Sequence, residues 1–325
     1  MKAVRFTRYG SPDFLELTEV EKPTPDDNEV LIKVHASCVN SWDWELLIGK
    51  PFANRLMFGL LKPTKIQSLG CDVAGRIEAV GSKVTKFNPG DDVYGDLSGG
   101  GWGGYAEYVC ALEDEIVLKP HTITFEQAAA VPQAALLALQ GLRFNGQVQE
   151  GQSVLMNGGG GGVGTFAIQL AKLYGAEVTA IDRTEKLDLM LSLGADHVID
   201  YTEEDFTKNG QLYDLILDVA GYRSVFDYEH SLCPEGAYAM IGGSSSFLFW
   251  LVLLKPWVLM TRRKKMGLLL HKANKGLVDI TAFLEAGEVV PVIDKCYPLS
   301  GVAEALHYFG DGHAKGKIVI NLEEN

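Results

Sequence analysis

The stretch SVLMNGGGGGVGTFAIQLAKLYG, residues 153–175, decides the fold of this chain. Ser153–Met156 is a short apolar run of strand character, and Thr165–Tyr174 places its apolar residues at helical spacing. Between them the chain carries almost no side chains, and Gly158, Gly161 and Gly164 fall three apart. A turn of this kind lets backbone N–H groups approach a pyrophosphate, and the following helix adds partial positive charge from its N-terminus. A bare flexible turn is the plain alternative, but the strand–turn–helix setting, with Asp182 closing the next strand, favours a dinucleotide cradle built from Gly158, Gly161, Gly162, Val163 and Gly164.

The coenzyme itself stays open at this level. Asp182 would accept hydrogen bonds from ribose hydroxyls and repel a 2′-phosphate, which favours NAD(H). Arg183, with Lys186 near it, would instead clamp that phosphate and favour NADP(H). Each charge is also readable as merely solvated.

Outward from the cradle, the pattern changes at about residue 125. Before it, short runs such as KAVRFT, EVLIKVHASCVN, DVAGRIEAVG and YAEYVCAL alternate with Gly, Pro and Asp turns, as in a mostly-β domain. After it, strands alternate with amphipathic helices, which predicts a doubly wound parallel sheet covered on both faces, an α/β domain. The closing segments KANKGLVDITAFLEAGEVVPVI and LSGVAEALHYFGDGHAKGKIVINL each predict a helix and a strand. The expected division is residues 1–125 with the tail 291–325 packed back on them, and 126–290 as the dinucleotide-binding domain.

Composition excludes several classes. The 325 residues are 47% hydrophobic and 22% charged, the balance of a folded globular chain. A formal net charge of −13 repels polyphosphate and argues against nucleic-acid binding. The five cysteines form no CxxC pair, and MKAVRFTRYG carries no signal-peptide pattern, so a cytoplasmic protein is expected. None of the seven histidines sits in a nucleophile or metal motif. The longest apolar run, 247–254, is too short to span a bilayer.

Taken together, VHASCVNSWDW, SLGCDVAGRIEAVG, FNPGDDVYG, GGYAEYV, NGGGGGVGTFAIQLAK, LGADHVIDY and GHAKGKIVI resemble the medium-chain dehydrogenase/reductase superfamily. Within it, they resemble the zinc-independent quinone oxidoreductase and alkenal/one reductase branch, almost end to end. The resemblance implies a GroES-like β domain plus a Rossmann domain, NADP(H) or NAD(H) held in the cleft between them, and a homodimer. It also places Tyr201 near the adenine, Ile241, Gly242 and Gly243 beside the nicotinamide, and Lys315 and Lys317 near the phosphates; a solvated turn charge is the plain alternative for the two lysines.

Zinc is tested on the same resemblance. The positions matching the ligands of zinc alcohol dehydrogenases are Asn40, Cys71 and Pro132 or Gln133. Only Cys71 is a soft ligand, which does not make a catalytic zinc site. The segment GDLSGGGWGGYAEY also lacks the cysteines of a structural-zinc lobe, so no zinc is expected. Without a metal to hold an alkoxide, the chemistry implied is delivery of hydride from NAD(P)H to a small lipophilic α,β-unsaturated carbonyl or a quinone. Asn40, with Asp43 close by, is the first candidate for the polar catalytic group; a turn-stabilising pair is the other reading of Asp43. Two departures from the family pattern are Leu137, where the family usually has the Thr of a Gly-Leu-Thr-Ala segment, and Glu45 in place of a Lys. A metal-free alcohol dehydrogenase and a non-catalytic dinucleotide-binding sensor or interaction protein are the competing functions.

SSSFLFWLVLLKPWVLMTRRKKMGLLLH, residues 244–271, is the most apolar region and contains the basic run Arg262–Lys265. As a lid or dimer interface it would wall a lipophilic site. As an interfacial anchor, 247–265 would make weak membrane-surface contact, with no integral span. Plain core followed by a charged face is the third reading.

Overall fold

The computed structural model describes residues 1–66, 68–262 and 264–323. The chain divides into two units. The first comprises 1–136, 272–287 and 291–325, and the second comprises 137–271 and 288–290.

In chain order the first unit opens with β1 (Lys2–Arg5), β2 (Glu16–Glu19) and the long β3 (Glu29–Val39), then α1 (Ser41–Ile48) and α2 (Phe52–Phe58). It continues through β4 (Asp72–Val80), β5 (Asp92–Asp96), β6 (Tyr108–Leu112) and β7 (Val117–Leu118) to α3 (Phe125–Ala129) and the start of α4 (Pro132–Leu142). The second unit follows with β8 (Ser153–Asn157), α5 (Gly162–Leu173), β9 (Glu177–Asp182), α6 (Leu187–Ser192), β10 (His197–Asp200) and β11 (Tyr213–Asp218). It ends with α7 (Val225–His230), β12 (Leu232–Met240), α8 (Ser245–Arg262) and β13 (Lys265–Leu268). The chain then returns to the first unit with α9 (Leu277–Glu285), β14 (Ile293–Pro298), α10 (Val302–Gly310) and β15 (Lys317–Asn321).

The second unit carries one six-stranded sheet in the order β10-β9-β8-β11-β12-β13, every pairing parallel. This is the doubly wound order whose direction reverses between β8 and β11, and ligands of such sheets bind at the carboxyl ends of the strands at that reversal. The strands are short and apolar because helices cover both faces. Phe206, Tyr228, Tyr238 and Phe247 fill one side of it.

The first unit is built around β3, whose eleven residues serve three partners. The strand β4 runs along one edge, β6 pairs with Glu29–Lys33, and β15 pairs with Ala36–Val39. The tail therefore completes the edge that β6 leaves. Ile318 and Ile320 enter the same apolar cluster as Leu46, Leu47, Tyr105 and Leu306.

The unit boundaries differ from the expected 125/126 and 290/291. Residues 125–136 stay with the first unit because Phe125 stacks on His35 at 4.2 Å and Gln133 N–H reaches the Asp72 carboxylate at 3.1 Å. Residues 272–287 stay there because Asn274 bonds Asp96 and Thr281 bonds the Tyr94 hydroxyl. Those partners are far away in sequence, and local periodicity carries no trace of them.

The apolar segment 244–271 becomes α8 and β13. Phe247, Leu251 and Val258 of α8 are buried, whereas Phe249, Trp250, Val252 and Leu253 are more than half exposed. One face is thus core and the other an apolar surface. Within the basic run, Lys264 Nζ is bonded to the carbonyl and carboxylate of Glu229, and Lys265 bonds Asn145. Arg263 and the side chain of Arg262 lie outside the described residues. Among the described residues, no helix is long and apolar enough to cross a membrane.

Candidate functional site

The cradle forms at the carboxyl end of β8. Gly158 and Gly159 N–H both donate to Ile181 O at 2.9 Å, which pins the turn to β9. Gly158 has φ +90°, and a β-carbon there would lie 2.1 Å from Val219 Cγ2. A β-carbon on Gly164 would lie 2.3 Å from Gly158 O, so α5 packs on the turn only because that position is glycine. Gly161 differs: its φ is −90° and the nearest atom to an added β-carbon is Gly158 O at 3.5 Å. Among the described residues, nothing excludes a β-carbon at Gly161. The open space there is what a pyrophosphate needs for close approach, and Gly162, Val163 and Gly164 begin α5, where no preceding turn accepts their N–H groups. These residues fit a dinucleotide phosphate.

Asp182 and its neighbours take unequal roles. Asp182 is 7% exposed, and its side chain accepts Gly160 N–H at 3.0 Å and Arg183 N–H at 2.9 Å and faces Lys186 Nζ at 3.4 Å. Lys186 is 6% exposed, and its aliphatic chain lies over Gly160. The expected Lys186 clamp is therefore corrected: its charge is paired inside the turn. Arg183 is half-buried and donates Nε–H to the Tyr201 hydroxyl at 2.6 Å, an arrangement that raises its already high pKa. Its terminal guanidinium nitrogens remain the donors at this edge.

The sequence reading missed a hub beside the cradle. Asp218, fully buried at the end of β11, accepts Asn157 Nδ2–H at 2.8 Å, Ala220 N–H at 2.9 Å, Gly221 N–H at 2.8 Å and the Tyr238 hydroxyl at 2.8 Å. Its carbonyl accepts Ile241 and Gly242 N–H at 2.7 and 3.1 Å. One residue thus ties together the ends of β8, β11 and β12, and fixes the Ile241–Gly243 backbone. Gly243, at φ +135°, meets Gly221 so closely that a β-carbon would lie 2.7 Å from its Cα. The DVAG segment after an apolar strand was the available signal, since a strand-ending Asp before a Gly turn is a common backbone acceptor.

In the first unit, the register puts Val319, Cys38, Asp72 and Asp96 opposite one another across β15, β3, β4 and β5. Ile318 faces Val39, so Lys317 falls beside Asn40. Asn40 is 4% exposed and its carboxamide is committed at both ends: Nδ2 donates to Asp72 Oδ2 at 2.9 Å and to Cys71 Sγ at 3.3 Å, and Oδ1 accepts from Lys317 Nζ. Gln133 Nε2 also donates to Cys71 Sγ, at 3.4 Å.

Two expectations are corrected here. Asn40 has no N–H left for a substrate oxygen, and Asp43 is a buried brace for the turn, accepting Asn40 N–H at 2.9 Å and Gly70 N–H at 2.7 Å. Burial pushes the Asp43 carboxyl to about 7 against the pull of those two donors. Lys317 is neither a solvated turn charge nor a free phosphate ligand: it is 4% exposed, 4.0 Å from Asp72 Oδ2 and 3.4 Å from Val39 O. Lys315, by contrast, is exposed, and its N–H donates to Asp294. Of the two departures, Leu137 is buried on α4, and burial pushes the carboxyl of Glu45 on α1 to about 6.

Residues 26–121 match the model of the alcohol dehydrogenase GroES-like domain, and residues 193–320 match that of the zinc-binding dehydrogenases. The chain is 34% identical to a chloroplast envelope quinone oxidoreductase homolog of Arabidopsis thaliana, over 98% of both chains. It belongs to the medium-chain dehydrogenase/reductase superfamily, in its quinone oxidoreductase branch. A chloroplastic NADPH-dependent alkenal/one oxidoreductase of the same plant is 35% identical over 98% of this chain and 79% of that protein. Among solved structures of the branch, the quinone oxidoreductase from Coxiella burnetii superposes with a TM-score of 0.88 at 31% identity, covering 99% of each chain.

The three positions that match the superfamily's zinc ligands do not fit a zinc ion. At the positions of Asn40, Cys71 and Gln133, two carboxamides turn N–H donors toward a thiol, and an ammonium stands beside the nearest carboxylate. Burial, with the neighbouring carboxylates, pushes the Cys71 thiol well above its usual range, the opposite of what a thiolate ligand requires.

Proposed function

We propose that this oxidoreductase uses NADPH to reduce the carbon–carbon double bond of lipophilic α,β-unsaturated carbonyl compounds, with quinones as alternative acceptors, and that it does so without zinc. The observation that carries the coenzyme reading is the contrast between Asp182 and Arg183. The carboxylate is turned into the Gly-rich turn, while the guanidinium, aligned by Tyr201, stands at the edge where a 2′-phosphate would lie. The names of the alkenal/one oxidoreductase and quinone oxidoreductase relatives support the substrate class.

In this reading the N–H groups of Gly162, Val163 and Gly164 bind the pyrophosphate, Tyr201 lies beside the adenine, and the Ile241–Gly243 backbone, fixed through Asp218, supports the nicotinamide. NADPH supplies a hydride, and a conjugated acceptor takes it at the β-carbon while its oxygen needs only modest polarisation. The α-carbon is then protonated from solvent. Asn40 and Asp43 are committed to partners within the first unit and donate nothing to the substrate.

A homodimer and a cytoplasmic setting belong to the same reading. The half-exposed apolar face of α8 supports the first. The five free cysteines suit a reducing compartment.

The test is product analysis of purified protein with NADPH or NADH and a medium-chain enone, alongside a simple quinone. The saturated ketone is expected, formed faster with NADPH, and Arg183→Ala should abolish that preference by raising the KM for NADPH alone. An allylic alcohol as product, or no coenzyme oxidation with either acceptor, would overturn the reading.

A further inference from the structure

We propose that the buried ammonium of Lys317 is this chain's built-in substitute for a metal ion, and that removing it converts the Cys71–Asp72–Asp96 cluster into a site for one soft divalent cation. The ligating atoms of these three residues lie within 4.8 Å of one another, all buried. A thiol and two carboxylates form a donor set suited to zinc or cadmium. Asp72 and Asp96 face each other in register across β4 and β5, and Asp96 also accepts the Ser98 N–H at 2.8 Å. Lys317 is a cation 4.0 Å from Asp72, held 4% exposed by the pairing of β15 with β3.

Lys317 acts in two ways. Its charge repels any dication placed among the three ligands. It also fixes the Asn40 carboxamide: an ammonium can only donate, so Oδ1 must face it, and Nδ2 is thereby turned toward Cys71 and Asp72. With an aliphatic side chain in place of the lysine, the carboxamide is free to turn and offer Oδ1 as a further oxygen ligand. The inference concerns the first unit alone and does not depend on the coenzyme or substrate reading.

The experiment compares wild type, Lys317→Leu and the double variant Lys317→Leu/Cys71→Ser as full-length chains; leucine removes the charge and adds no metal donor. Cadmium is titrated while the ultraviolet thiolate-to-cadmium charge-transfer band is followed, and metal is counted after desalting. Lys317→Leu is expected to take up one cadmium per chain, on the order of a hundredfold or more tighter than wild type, because a unit charge at this range has been removed. The double variant should lose the band, which separates the site from the other four cysteines. If Lys317→Leu does not fold alone, cadmium should restore its circular dichroism and raise its melting temperature. The proposal is overturned if wild type binds cadmium equally well in a Cys71-dependent way. A folded Lys317→Leu that takes none, or an unfolded one that cadmium does not rescue, overturns it as well.

Discussion

Gly158, Gly161 and Gly164 look alike in the sequence, and their surroundings give them different tasks. Gly158 and Gly164 have no room for a β-carbon because Val219 and the turn itself fill the space, whereas Gly161 has both room and an ordinary φ. Gly161→Val is therefore expected to leave the melting temperature nearly unchanged while weakening NADPH binding by tenfold or more, read by coenzyme fluorescence titration. Gly164→Ala should instead lower stability. Spacing alone pointed to the cradle, but only the packing separates the glycine kept for a ligand from the glycines kept for the chain.

Asp43 carries a pH prediction at the same scale. Its folded value of about 7 exceeds the roughly 3.9 of an unfolded aspartate, so between those limits the native state holds a proton that the unfolded chain has released. The contribution is complete below about pH 4 and is lost as pH rises through about 7. Asp43→Asn should flatten the fall in urea-unfolding stability between pH 5 and 7.5 by up to about 1.4 kcal/mol per pH unit. An unchanged slope would show that Asp43 does not titrate in that window.

At the scale of the element, Asp218 matters because three strand ends meet on it. Asn157 precedes the cradle, Ala220 and Gly221 form the loop after β11, and Tyr238 lies within β12. Asp218→Asn places a donor where N–H groups already point, and leaving such buried donors unmatched costs about 1–3 kcal/mol. The expected result is a lower melting temperature together with coenzyme affinity weakened about tenfold. The two readouts also separate roles: lost stability with unchanged affinity would make Asp218 structural only. The helix α8 shows the limit of element-level reading. Its apolar run was plain, but which residues face the core depended on Tyr228 and Tyr238, against which Phe247 packs.

For the whole molecule, the tail is a structural member of the first unit. A chain ending at residue 290 would leave Ala36–Val39 without β15 and would strip Ile318, Ile320 and Leu306 from the apolar cluster. Limited trypsin digestion of such a chain is expected to leave protected peptides from the second unit only. Protection of residues 1–125 as well would show that the first unit folds without its last strand.

The sequence by itself determined the local designs: the Gly-rich turn between strand and helix, the parallel α/β alternation and the β-rich opening. Each follows from periodicity and turn chemistry within a few residues, whereas the superfamily was legible as the joint resemblance of seven motifs along the chain. Tertiary structure decided what the polar residues do. Lys317 reaches Asn40 and Asp72 only because β15 pairs with β3 in one register, and Asp218 becomes a hub only because β8, β11 and β12 end together. Burial and partners supplied from hundreds of residues away turned a presumed phosphate ligand into an internal cation, and a presumed catalytic amide into part of its cage. Such pairings are set by the packing of the whole chain, whereas spacing along the chain records only near neighbours.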